Sequence, residues 1–451
     1  MIEKKKLLRA FLTFSAGLFA CCLGQTAQAA AGTTVAVGNC KAGLTSYPTI
    51  QKAVDASPAG YTIDVCPGTY PEQVSITKNL TLIGVAAGTA DAPTIVPPTG
   101  GLVANASDPS GGGSPVAAQI VVTSPATSVT LQHLTVDGAN NQVTGCASFG
   151  GSVPLVVGIY FLNVSGTITQ NAVRNQLQDT ADQDCPNGLG IYAETGGGAT
   201  TTVTISNNTV RNYQQNGITA NGYGDGSAGP AVTIMNNSVP GTGATATSGK
   251  NGIQIGFGAT GQVMGNITIQ DIYALSSNNG DAGVGILVFA SSGITVSNNV
   301  VGNTQFGIVT ESAGEGFLAD TTSITGNKII GTELFDGIDL CSNGNTVTGN
   351  TVNSSTEAGI HLDDSCGSTG NNNTVKTNNI NEACAGILTG TGTSGNVTTP
   401  NTIFNVITTV MPDDTCTAFQ GQAAAAQPAS RNSKHGVARI SPYPPRAFSK
   451  Q

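Results

Sequence analysis

The chain has 451 residues, with 60 glycines, no tryptophan, 39% apolar residues and only 10% charged ones. Such a turn-rich, ion-poor composition excludes helix bundles and coiled coils, and the apolar fraction excludes global disorder. The formal charge of −9 is uneven: residues 1–29 carry +3 and residues 417–451 carry +5, leaving −17 over residues 30–416. A body this acidic repels DNA, RNA and polyuronates, so nucleic acid is excluded as a partner.

Lys4, Lys5, Lys6 and Arg9 precede an apolar run from Ala10 to Leu23, and Ala27-Gln28-Ala29 offers the small residues a signal peptidase reads. Residues 1–29 are therefore expected to be a secretory signal of bacterial type, too short for a membrane span. Leu18-Phe19-Ala20-Cys21 leaves lipoprotein processing as the alternative. Either route implies a secreted or periplasmic protein, and no later stretch is long and apolar enough to span a bilayer. Beyond the signal stand Cys40, Cys66, Cys146, Cys185, Cys341, Cys366, Cys384 and Cys416. An even set in an oxidising compartment reads as disulfides, and neighbour pairing (40–66, 146–185, 341–366, 384–416) is the simplest arrangement.

Tyr47–Ser57 has the pattern of an amphipathic helix, placed where a solenoid needs its open end capped. From there on the sequence repeats. Gly-Ile occurs at Gly158, Gly190, Gly217, Gly252, Gly285, Gly307, Gly337, Gly359 and Gly386, at spacings that never fall below 22 residues. Between these pairs recurs [I/V]-x-x-N-x-[V/I], as in Ile168–Val173, Ile205–Val210, Ile234–Val239, Val296–Val301, Ile324–Ile329, Val347–Val352 and Val375–Ile380. Two short alternating strands per period, with loops of variable length, predict a solenoid of parallel strands over residues 30–416. Ile159, Ile218, Ile308 and Ile360 should stack in one buried line, and Asn171, Asn208, Asn237, Asn299, Asn327, Asn350 and Asn378 in one corner ladder. About a dozen coils at about 4.8 Å each would give a rod roughly 55–60 Å long. The fold class is all-β, a single-stranded right-handed parallel β-helix with an N-terminal capping helix. Residues 417–451, basic and without apolar periodicity, read as a disordered tail.

The coil pattern resembles the right-handed parallel β-helices of the pectin-lyase-like superfamily over roughly residues 33–410. The succession Thr62–Cys66, Pro67-Gly-Thr-Tyr-Pro-Glu-Gln-Val74 and Asn79–Gly84 is similar to the opening of pectin methylesterases, with Gly68, Tyr70 and Glu72 matching their G-x-Y-x-E element. The esterase chemistry is not implied: Gln178-Asp179-Thr180 lacks the D-F-I-F-G that should follow it, and G-R-x-W is impossible without tryptophan. Phe335–Asp339 is similar to the N-T-D-G element of polygalacturonases, with Glu357 one coil later, but the expected histidine position falls near Ala385 and the R-I-K element is missing. The resemblance therefore implies a polysaccharide lyase or glycoside hydrolase if the protein is an enzyme.

The residues point to a local constellation. Counting from each Gly-Ile, the second and fourth residues after Gly should face outward, which places Glu311, Asp339, His361 and Asp363 on one external patch flanked by Asp336 and Glu357. Asp336, Asp339, Glu357, His361 and Asp363 are the candidate catalytic residues, with His361 as the proton-transfer member. Tyr160 and Tyr192, with Glu311, are candidate glycan contacts, the tyrosines as a stacking platform. Asp179, Asp182 and Asp184 could supply half of a calcium shell of about six to eight oxygens, and no motif requires a cofactor. The expected function is an exported β-helix that binds or processes an extracellular polysaccharide. The alternative is a non-enzymatic surface or structural solenoid engaging a cell-wall or protein partner.

Overall fold

The computed structural model describes residues 33–85, 93–148, 150–178, 185–274, 281–314, 316–332, 334–366, 368–412 and 439–440. The expected signal, the Asp179–Asp184 cluster, Cys416 and all of the basic tail except Arg439–Ile440 lie outside these residues. Arg439–Ile440 pairs in parallel with Asp281–Ala282.

Nearly all regular structure is parallel strand, wound so that each coil contributes to three ladders. The first ladder is a 13-stranded sheet that includes Ser165–Thr169, Thr202–Ser206, Ala231–Met235 and Thr260–Met264. A sharp corner leads to the second ladder, which includes Ala172–Gln176, Thr209–Tyr213 and Lys328–Thr332. The third holds the Gly-Ile strands, among them Leu155–Leu162, Leu189–Thr195, Phe306–Glu311 and Ile338–Cys341. In the last coils Thr351–Leu362 and Asn379–Thr389 run through both of these ladders without interruption. Among the described residues no helix is long and apolar enough to cross a membrane.

Strand alternation sends one residue in two inward, and stacking in register turns those positions into columns. Ile159, Ile191, Ile218, Ile253, Ile286, Ile308, Ile338, Ile360 and Ile387 form one unbroken buried line, as expected. Burying one such side chain stabilises by about 2 kcal/mol, so this column is a main source of fold stability. The glycine before each isoleucine serves a purpose other than a turn. A Cβ on Gly190 would lie 2.3 Å from Val210 Cγ1 and 2.5 Å from Gly217 O, because the strand crosses the interior beside the second ladder at that point. The Gly-Ile signature thus marks a close approach of backbones.

The corner between the first and second ladders needs one left-handed residue, supplied for example by Asn207 (φ 56°) or Gly265 (φ 65°). The next residue is the ladder asparagine. Each backbone N–H and side-chain amide donates to the Oδ1 of the asparagine one coil on, at 2.9 and 3.1 Å from Asn171 to Asn208 and 2.9 and 3.0 Å from Asn208 to Asn237. Asn266 and Asn401 belong to the same ladder, although Thr268 and Thr398 break the flanking apolar pattern that identified the others.

The single helix among the described residues, Ile50–Ala56, is shorter than the expected segment. Thr49 caps it by accepting from Lys52 N at 3.2 Å, and the Glu72 carboxylate accepts from Ile50 N and Gln51 N at 2.9 and 2.8 Å. Ile50, Ala53 and Val54 enter the main core. Disulfides join Cys40–Cys66, Cys146–Cys185 and Cys341–Cys366. Cys384 is also disulfide-bonded.

Candidate functional site

The register places Asp339 directly beside His361 on neighbouring strands of the third ladder. Asp336 sits just before Ile338–Cys341, and its carboxylate reaches across to the imidazole: His361 Nδ1–H donates to Oδ2 at 3.1 Å while Ala358 N donates to Oδ1 at 2.9 Å. One polar atom from each of Asp336, Asp339 and His361 lies within 4.8 Å of the others. Asp363 follows the His361 strand and is held by Ser365 N at 2.7 Å, and Glu311 ends the strand before that of Asp339. Glu357 is not in the three-residue group; it lies at the register shift between Ser355 and Ala358.

The cluster is buried, which corrects the expectation of an exposed patch. His361 is 6% exposed, Asp336 2%, Asp339 3% and Asp363 8%. Period-two alternation identified which side chains point away from the core, but loops returning over this ladder decide whether water reaches them. The outward series contains Leu287, Val309 and Leu388, whose apolar character was the available signal that the face is covered.

Burial among like charges sets the protonation states. It pushes the Asp339 carboxyl well above its usual range, with Asp363 adding to the effect. Burial alone would lower His361, but the Asp336 carboxylate, by charge and hydrogen bond, and then Asp339 and Asp363 hold the imidazole well above its ordinary value. Asp336 is raised by burial against the opposing pull of the His361 charge. The Glu311 carboxyl is pushed up to about 8 by burial and then by Asp363. Among the described residues, His361 Nε2 and Glu311 Oε2 have no hydrogen-bond partner.

Chemically this is an oriented histidine: Asp336 fixes Nδ1 and leaves Nε2 as the nitrogen open to proton transfer, beside the Asp339 carboxyl. Cys341 and Cys366 approach Asp363 but are joined in a disulfide, so they offer no thiolate to a metal. The calcium expectation at Asp179, Asp182 and Asp184 falls outside the described residues.

Tyr160 and Tyr192 are in register and stacked on each other, with ring centroids 5.0 Å apart, but both are fully buried. The proposed sugar platform is therefore corrected. The segment around Ala106–Asp108 lies over them: Tyr160 OH is 3.0 Å from Ser107 O and within hydrogen-bonding reach of the Glu194 carboxyl, and Tyr192 OH reaches Ser110 Oγ at 2.9 Å. Burial, with Asp108 as the second cause, keeps Glu194 well above the usual carboxylate range. Asp108 and Ser110 were not legible in the sequence because their loop precedes the repeats. A further buried group, Tyr213 donating to Asp271 at 2.5 Å with Lys250 nearby, was missed for the same kind of reason: neither motif includes it.

These observations define a class, a solenoid of parallel strands with an enclosed acid–histidine group on one ladder. The pattern described as "Right handed beta helix region" matches residues 157–403, and the chain belongs to that family. Among solved structures, a lacto-N-biosidase from Eubacterium ramulus overlays with a TM-score of 0.55 at 11% identity, covering 84% of this chain and 68% of its own. The Dettilon tailspike protein overlays with a TM-score of 0.55 at 15% identity, covering 78% of this chain and 62% of its own, so the match spans less than two thirds of the tailspike. A pectin methylesterase from Erwinia chrysanthemi shares 13% identity over 71% of this chain and 79% of its own, with a TM-score of 0.34. These likenesses concern the fold alone. No curated protein matches in sequence.

Proposed function

We propose that this is an exported β-helix protein that binds or processes an extracellular polysaccharide, with His361 as the proton-transfer residue of its site. The observation that carries the reading is the Asp336–His361 pair, with Asp339 in register beside it and Nε2 unpartnered among the described residues. Asp363, Glu311 and Glu357 would set the potential around it. A fold shared with a protein named a lacto-N-biosidase supports the substrate class. Export is supported by the apolar leader Ala10–Leu23 and by the disulfides. In this reading Ile50–Ala56 caps the N-terminal end of the solenoid and residues 30–416 form the working domain.

A second reading, a non-enzymatic solenoid that engages a cell wall or protein, is favoured by one observation: His361 is only 6% exposed. Incubating the purified protein with neutral and acidic polysaccharides, with and without calcium, separates the two. The enzymatic reading expects new reducing ends or unsaturated sugars, and a loss of about 100-fold or more in His361→Ala. An Asp336→Asn variant should move the pH profile toward acid, since the charge that raises the imidazole is gone. Neither turnover nor binding on any glycan would favour the structural solenoid.

A further inference from the structure

The three ladders differ in what they turn outward. The third is roofed by loops, whereas the second carries basic side chains such as Arg174, Arg211 and Lys328. From Ser128–Gln132 to Thr346–Thr348 the outward positions of the 13-stranded sheet hold only Ser, Thr, Gln, Ala and Met. No charge interrupts this face, although the molecule carries 26 acidic residues. The register aligns Thr167, Thr204, Thr233, Gln262, Thr295 and Ser323 in a single column along the solenoid axis. Among the described residues, the hydroxyls of Thr167, Thr204, Thr233 and Thr295 hydrogen-bond to no other protein group.

The neighbouring outward column is dented: Ala231 stands where the coils on either side carry Thr202 and Thr260, and the backbone of Gly261, which pairs with the inward Val232, lies beside it. Together with Thr233, Gln262 and Thr295 they line a cleft of about 290 Å³.

We propose that this outward face binds an extended neutral polysaccharide lying along the solenoid axis, with one sugar ring seated in the cleft at Ala231 and Gly261. Each free hydroxyl can both donate and accept, as sugar hydroxyls do. The coils repeat every ~4.8 Å, comparable to the length of one sugar unit, so successive residues of a chain meet successive hydroxyls. Each contact is weak, but the sheet holds the hydroxyls rigidly and the polymer links them, which is where affinity arises. Neutrality follows from charge: the face offers no cation to an anionic polymer, and the acidic body around it repels one. A second copy of the chain is a poorer occupant, because the stripe lacks the apolar core that a stable protein interface requires. The surface is on a different ladder from His361, so this proposal does not depend on the one above.

Electrophoresis of the full protein through gels containing a neutral glucan, mannan or galactan, with polygalacturonate as the charged control, tests it. The wild type should be retarded by at least one neutral polymer and not by polygalacturonate. Thr204→Glu combined with Thr233→Glu should weaken that binding at least tenfold. Ala231→Tyr, which keeps the face uncharged and favours strand while filling the cleft, should weaken it too. Far-UV circular dichroism and melting verify that each variant is folded. Undiminished retardation of both variants, no retardation of the wild type by any neutral polymer, or retardation by polygalacturonate alone would overturn the proposal. Loss of binding with His361 intact reports on this face, and loss of turnover in His361→Ala reports on the other.

Discussion

Glu311, half-buried but with its Oε2 closed off from water, shows what partial enclosure does to a single side chain. The carboxyl keeps its proton in the folded protein up to about 8, whereas in the unfolded chain it releases it near its ordinary value of 4.5. Its folded value is raised, so its contribution to stability is complete below that ordinary value and is lost as pH rises toward about 8. Glu311→Gln removes this dependence. The variant should melt close to the wild type at about pH 4 and above it at about pH 9, as followed by circular dichroism. Parallel curves of melting temperature against pH would show that the carboxyl is not enclosed as described. His361 belongs to the same scale: its type and spacing were readable, but its burial was not, because alternation tells which way a side chain points and not what covers it.

At the scale of elements, the G-x-Y-x-E stretch has a structural meaning that the family resemblance alone did not supply. Tyr70 OH donates to Cys66 O at 2.7 Å, and Glu72 takes the first free N–H groups of the helix. Glu72→Ala leaves those donors to water and removes a favourable charge from the helix N-terminus. The cost should be about 1 kcal/mol, read as a lower denaturation midpoint with an unchanged slope. A variant as stable as the wild type would mean that Thr49 suffices as the cap. The asparagine corner was legible for the opposite reason: the amide recurs at each coil, so Asn171 to Asn378 could be aligned from spacing alone. Asn266 and Asn401 escaped because the test required apolar flanks, while the corner itself requires only a left-handed residue followed by an amide.

For the whole molecule, stability comes from stacking coil on coil, so each coil rests on its neighbours rather than on a central core. The disulfides fasten segments that this stacking does not. Cys341–Cys366 ties the end of the Asp339 strand to the loop after Asp363, closing a separation of 25 residues, and Cys40–Cys66 closes one of 26. Loops of this length correspond to about 3 kcal/mol each. Reduction with dithiothreitol should therefore lower the melting temperature and, in the reading proposed for His361, reduce turnover more than it reduces binding to the 13-stranded face. Equal loss of both would place the disulfides in support of the solenoid as a whole.

The sequence by itself determined the solenoid, the buried isoleucine line, most of the asparagine ladder and three of the neighbour disulfides. The first three follow from a local rule, alternation or a corner residue, applied once per coil, and repetition makes local rules add up; the disulfides follow from proximity along the chain. Tertiary structure alone decided which outward faces stay open. Tyr160, Tyr192 and His361 point away from the core as alternation requires, yet all three are buried, the tyrosines beneath the segment around Ala106–Asp108, which lies outside the repeat. Thr204 and Thr233 obey the same alternation and remain accessible. No periodic rule distinguishes the two cases, because cover is supplied by loops whose course is set by packing over distance.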